Sequence, residues 1–204
     1  MLAYIIVVFV LFLIPGPAVI LTITKSVHSG LRAGLLTGLG IALGDLFHTI
    51  AAVIGLSAIF MTSKLAFEVV KYGGAIYLLY LGVKAMLEKA KSKEIKQDKK
   101  SENRSLSQAF IIELLNPKTA LFFLAFLPQF VKADGLSVVI QLFILGGVFV
   151  LMSILYTSLL ALFASKLSKR FFVRSRQIPT WTNKIVGLIY IGLGLQLLFS
   201  TYYF

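Results

Sequence analysis

Two long apolar runs in this sequence carry proline deep inside them. The first reads Leu13-Ile14-Pro15-Gly16-Pro17-Ala18, the second Leu115-Asn116-Pro117-Lys118-Thr119-Ala120. Apolar runs of roughly 18 residues or more are bilayer spans. Proline has no N–H, and its ring collides with the carbonyl four residues back, so a helix breaks or kinks there. Hydrocarbon offers no partner to the backbone groups a break releases. Such breaks survive only where protein or a polar cavity surrounds them. The chain must therefore fold so that each break is enclosed. One break in each half of a membrane protein is also the usual pointer to a transporter's binding site.

The composition supports the membrane assignment. The 204 residues are 58% hydrophobic and 14% charged, with a mean hydropathy of +0.92, which excludes an ordinary soluble domain. The net charge of +12 sits at span ends and in one loop, so it gives no case for a nucleic-acid partner. There is no cysteine, and there are two histidines, His28 and His48. That excludes disulfides and thiol chemistry and is too little for a metal-transport cluster. Met1-Leu2-Ala3 provides no basic leader, so the first span is expected to remain in the mature protein. No phosphate loop, nucleophile elbow or metal-ligand pair at helical spacing occurs. The expectation is a non-enzyme without cofactor or metal.

The hydropathy pattern predicts an all-α integral membrane protein of six transmembrane helices, at about 2–25, 34–61, 67–87, 106–131, 137–165 and 183–203. Segment 88–105 alternates Lys with acidic residues and reads as a solvated linker. Sixteen lysines and arginines fall on the side of loops 1–2, 3–4 and 5–6, against three on the other. That side is therefore cytoplasmic, and both termini are expected outside. Lys71, Gly74, Ile76 and Tyr77 of span 3 recur at equal spacing as Lys184, Gly187, Ile189 and Tyr190 of span 6. With broken helices 1 and 4 at corresponding places, this predicts a 3+3 inverted repeat, 1–87 and 106–204, since three spans reverse the second half's orientation.

The breaks hold the candidate substrate-binding residues Pro15, Gly16, Pro17, Asn116, Pro117 and Lys118. Asn116 suits an N-cap and Pro117 the first helical position, so a new half-helix should start there with its N–H groups and positive dipole end inside the membrane. Lys118 adds a charge, and the set suits a carboxylate. Gly16 permits close backbone approach, and Pro17 opens the half-helix after it. The bland alternative is two proline kinks accommodated by neighbouring helices. In span 2, Gly34, Gly38, Ile41, Asp45, His48 and Ala52 form one small, polar stripe that should face protein or water. An Asp at membrane depth is a functional-site hypothesis by default. Asp45 and His48 are the candidate coupling residues, with Lys118 as the expected partner of Asp45. Against this stand a fixed Asp45–Lys118 ion pair and a simple hydrogen-bonded histidine. Gly34-x3-Gly38 and Gly40-x3-Gly44 read as close-packing motifs. Glu113 is expected at the shallower, cytoplasmic mouth, Gln129 is a gate or a helix end, and Trp181, Tyr202 and Tyr203 read as interfacial.

These motifs occur in a recognisable order. Pro15-Gly16-Pro17, Gly30-x2-Ala33-Gly34, Gly38-x-Gly40-x3-Gly44-Asp45 and Gly55-Leu56 resemble the first half of the LysE/RhtB family of amino-acid exporters. Lys71-x2-Gly74-Ala75-x-Tyr77-Leu78-x-Tyr80-Leu81-Gly82 resembles its third span. Asn116-Pro117-Lys118, Phe122-Phe123 and Pro128-Gln129-Phe130 resemble its fourth. Glu113 departs from the pattern, where a small or apolar residue is expected. The resemblance implies a multi-pass carrier of the bacterial inner membrane that exports amino acids, driven by protons. The substrates it implies are of the homoserine, threonine, leucine or lysine type. The partners then are the amino acid, protons, the bilayer and a possible second copy. The competing readings are an exporter of divalent metal or other inorganic ions and a non-transporting membrane scaffold.

Overall fold

The computed structural model describes residues 1–62, 64–87, 103–132, 135–166 and 180–199. Their regular structure is entirely helical: α1 (Leu2–Leu13), α2 (Pro17–Ser29), α3 (Leu31–Thr62), α4 (Lys64–Leu87), α5 (Asn103–Leu114), α6 (Pro117–Leu121), α7 (Val138–Lys166) and α8 (Thr180–Phe199). The helix opened by α6 continues through a π turn, Phe122–Phe126, and a 3-10 turn, Leu127–Phe130.

Proline sets the two expected boundaries. α1 stops before Pro15, and α2 starts at Pro17 with Gly16 as its cap. The pair is bent by 61°. α5 stops before Asn116, and α6 starts at Pro117, bending the second span at its own break. Gly30 makes the turn from α2 into α3 at φ +87°, ψ 178°, a conformation reached essentially by glycine alone.

The sequence counts six spans; the described residues form eight α-helices. Among the described residues, Leu31–Leu56 and Val138–Lys166 are straight apolar spans, and each bent pair is long and apolar enough to make one more. α4 carries Lys64, Glu68, Lys71 and Lys84, and the apolar stretch of α8 is Asn183–Phe199. Both fall short of the same measure. Residues 88–102, Tyr202 and Tyr203 lie outside the described residues.

The chain divides into two compact units that cut across its sequence halves. The first takes its described residues from within Met1–His48, Lys93–Ala120 and Gly146–Arg176. Here α3 is the central helix, and its glycines decide what it touches. A Cβ on Gly38 would lie 2.7 Å from Thr157 Oγ1 of α7, and Gly34 abuts Ala161 of the same helix. A Cβ on Gly44 would lie 2.7 Å from Glu113 Cβ of α5, and Gly40 abuts Leu106 and Ala109. One small-residue motif thus seats α7 and the other seats α5, the close approach such motifs permit. Ala18, Leu21, Ile41 and Ala109 form the apolar core joining α2, α3 and α5. Phe12 packs edge-on against Phe149 and stacks with Tyr156, their ring centroids 5.1 and 5.4 Å away. The predicted stripe holds: Gly34, Gly38, Ile41 and Asp45 are buried and His48 half-buried, while Leu35, Leu39, Leu43 and Phe47 are exposed.

The second unit comes from within Thr49–Ser92, Leu121–Leu145 and Gln177–Phe204. α4 and α8 pack backbone to backbone, with Gly82 against Gly187 and Gly194 against Leu79. The sequence-matched Gly74 and Gly187 meet different partners, Ala125 of the π turn and Met86 of α4. Gln129 donates to the Ala125 carbonyl at 3.2 Å, the bond of a helix end.

Candidate functional site

Each proline leaves one carbonyl without its helical donor, because an α-helical carbonyl accepts from the N–H four residues on. For Pro15 that carbonyl is Leu11; for Pro117 it is Glu113. Both are found by side chains from other segments. Lys118 Nζ donates to the Leu11 carbonyl at 3.1 Å and to the Ile14 carbonyl at 3.2 Å. His48 Nε2 lies 3.1 Å from the Glu113 carbonyl. A carbonyl only accepts, so Nε2 is the donor. Each carbonyl also keeps a local backbone donor, the Ile14 N–H on Leu11 at 3.2 Å and the Asn116 N–H on Glu113 at 3.0 Å; the lysine of the second break adds a donor at the first, and a histidine of α3 adds one at the second.

The second break is capped as its sequence predicts. Asn116 Oδ1 accepts from the Lys118 backbone N–H at 3.1 Å, an N-cap bond to the second helical residue. The Asn116 amide nitrogen faces both oxygens of Glu113 at 3.2 Å, and the Thr119 hydroxyl donates to Glu113 Oε1. Glu113 is thus no mouth residue. It is 2% exposed and holds the turn together from inside. The first break has no side-chain cap, since Gly16 has none to offer. That leaves the N–H groups at the start of α2 for another acceptor.

Asp45 is 1% exposed and lines the same space as Ser153 of α7 and Glu113 of α5. The hydrogen bonds of Lys118 go to backbone carbonyls instead of to the Asp45 carboxylate. The two charges nonetheless line one buried cavity with Glu113, Asn116, Thr119 and Ser153. Phe12, Phe149 and Tyr156 supply its apolar wall. Its volume is about 30 Å³, room for about two waters and too small for an amino acid.

Of the residues singled out in the sequence, Asn116, Lys118 and Asp45 meet at this cavity. Gly16 is buried beside it, and a Cβ there would lie 3.6 Å from Lys118 Nζ. Pro17 and Pro117 are exposed and Pro15 is half-buried; they shape the backbone without lining the space. His48 is also absent from the wall. Sequence reading missed Glu113, Thr119 and Ser153. Glu113 carried the signal, since an acid within Phe110-Ile111-Ile112-Glu113-Leu114-Leu115 meets the same intramembrane criterion that selected Asp45. Ser153 lies four residues before Thr157 and needed the packing of α7 on α3 to be recognised.

Known proteins resemble the chain over nearly its whole length. The chain is 31% identical to the membrane protein YrhP of Bacillus subtilis (strain 168) over 208 residues, covering 96% of this chain and 97% of the relative. It is 28% identical to a leucine efflux protein of Enterobacter sp. (strain 638), covering 95% and 92%. It is 29% identical to a leucine efflux protein of Klebsiella pneumoniae, covering 92% and 89%. No solved structure matches. The model of the LysE type translocators matches residues 9–201, nearly the whole sequence, and the chain therefore belongs to the LysE type translocator family, whose members are multi-pass membrane transporters and not enzymes.

Proposed function

We propose that the protein is a secondary exporter of amino acids across the bacterial inner membrane, working by alternating access and coupled to protons. The observation that carries this reading is the Lys118 bridge. One buried ammonium ties two broken spans together beside a small cavity walled by acids and aromatic rings. A zwitterion needs such a mixture of opposite charges, and an apolar side chain needs the rings. The leucine efflux relatives support an amino acid of the neutral aliphatic kind.

In this reading the substrate carboxylate docks at the half-helix starts, Gly16-Pro17 and Asn116-Pro117, with Lys118 supplying charge. Asp45 carries the coupling proton. Its burial beside the Glu113 carboxyl supports that role, because an acid held inside the membrane is a candidate proton carrier. His48 serves as a proton relay only if it leaves the Glu113 carbonyl. The halves 1–87 and 106–204 act as the inverted repeat, with 88–105 and the basic loops cytoplasmic and both termini outside.

The test is transport in reconstituted vesicles. An interior-acid gradient is expected to drive uptake of leucine, threonine or lysine, with divalent cations screened beside them. Asp45→Asn is expected to abolish gradient-driven uptake while leaving amino-acid exchange intact. Movement of metal ions without any amino acid overturns the substrate class. Full gradient-driven uptake by Asp45→Asn overturns the coupling role.

A further inference from the structure

Lys118 occupies a place made for a cation. The Leu11 and Ile14 carbonyls stand at the C-terminal end of α1, where the backbone dipoles converge on negative charge. They hold one primary ammonium at 3.1 and 3.2 Å. Gly16 leaves the flank of that ammonium open, since a Cβ there would already be in contact with it. Any move of Lys118 toward a substrate carboxylate strips both carbonyls of this donor in a buried site, a costly exchange unless another donor arrives.

An α-amino acid brings that donor. We propose that the Leu11 and Ile14 carbonyls are the binding site for the primary ammonium of the substrate, and that Lys118 is its tethered surrogate, seated there when no substrate is bound. The proposal rests on the amino-acid exporter reading and deepens it. On entry, the substrate ammonium takes the two carbonyls and the displaced Lys118 meets the substrate carboxylate. Each charge exchanges one partner for another, and none is left bare in the membrane interior. The cavity of about 30 Å³ is consistent with this order of events, because room for an amino acid requires a lining side chain to leave. Lys118 is buried, long and unbranched, and its departure also uncouples the two breaks. A substrate lacking N–H donors, such as a trimethylated amine, has no means of replacing it.

The experiment uses methylammonium as a probe of the vacated carbonyls, on purified full-length protein. In Lys118→Met, and in Lys118→Gln as the variant that keeps a neutral donor for folding, methylammonium is expected to bind about tenfold more tightly than in wild type, the worth of one charge-assisted hydrogen bond. Whichever of leucine, threonine or lysine wild-type vesicles transport should compete with it. The deaminated analogue 4-methylpentanoate should not compete. Methylammonium affinity unchanged in both variants overturns the proposal. So does a transported amino acid that binds independently of methylammonium. These outcomes separate from the fate of the exporter reading: vesicles that move amino acids without such competition leave that reading standing and remove this one. Vesicles that move no amino acid while methylammonium binds the variants remove the exporter and leave a cation site.

Discussion

The two proline breaks solve one problem in different ways. At Pro117 the turn is closed largely by its own residues: Asn116 caps the new helix, Thr119 and Asn116 hold Glu113, and His48 supplies one ring donor. At Pro15 the closing side chain is not local. The Ile14 N–H bonds the Leu11 carbonyl at 3.2 Å, but the glycine cap has no side chain, and the charged donor to the Leu11 and Ile14 carbonyls comes from over a hundred residues away. The second break reads as a fixed joint and the first as a detachable one. A charged donor is held strongly, yet it has other partners within reach, here Asp45 and Glu113.

Substitutions test this contrast in descending order of effect. Lys118→Met should be the most damaging, since two buried carbonyls lose a charged donor at roughly 1.5–3 kcal/mol each. Thermal unfolding in detergent should show a clear drop, with export lost in vesicles. Gly44→Ala comes next. Its methyl would press on Glu113 Cβ and Cγ, and overpacking of that kind costs about 1–3 kcal/mol. Gly73→Ala, where a Cβ meets nothing within 4 Å, is the matched control and should be neutral or slightly stabilising. His48→Phe should cost least, about 1 kcal/mol for one neutral hydrogen bond, with export retained. Equal losses from Lys118→Met and His48→Phe in thermal unfolding would erase the distinction between the joints. Loss of pH-driven uptake in His48→Phe without loss of stability would restore the histidine as a relay.

Much of the fold was legible because the bilayer allows so few solutions. Proline in an apolar run forces a break, and Asn before Pro predicts a cap; both sit at the expected residues. The α3 stripe was readable from helical period alone, with Asp45 inside and Leu35, Leu39 and Leu43 outside. The internal likeness of spans 3 and 6 was weaker guidance. Gly74 and Gly187 match in sequence and touch unlike neighbours, because glycine recurs wherever helices approach closely and carries no record of which partner it admits. Glu113 differs for a related reason: its position in the run suggests the mouth, whereas the turn at Pro117 folds Asn116 and Thr119 onto its carboxylate.

The sequence by itself determined that the chain is helical, membrane-embedded and broken twice. Those properties follow from local chemistry, from a missing N–H, a short capping amide and a run of apolar side chains. Only the tertiary structure decided who satisfies whom. Lys118 lines one cavity with Asp45, as their residue types suggest, but its hydrogen bonds go to the Leu11 and Ile14 carbonyls. Opposite charges attract at any distance, so a sequence suggests their pairing readily. An orphaned carbonyl is a demand created by folding, and its donor is settled only when the helices that carry the two groups are packed together.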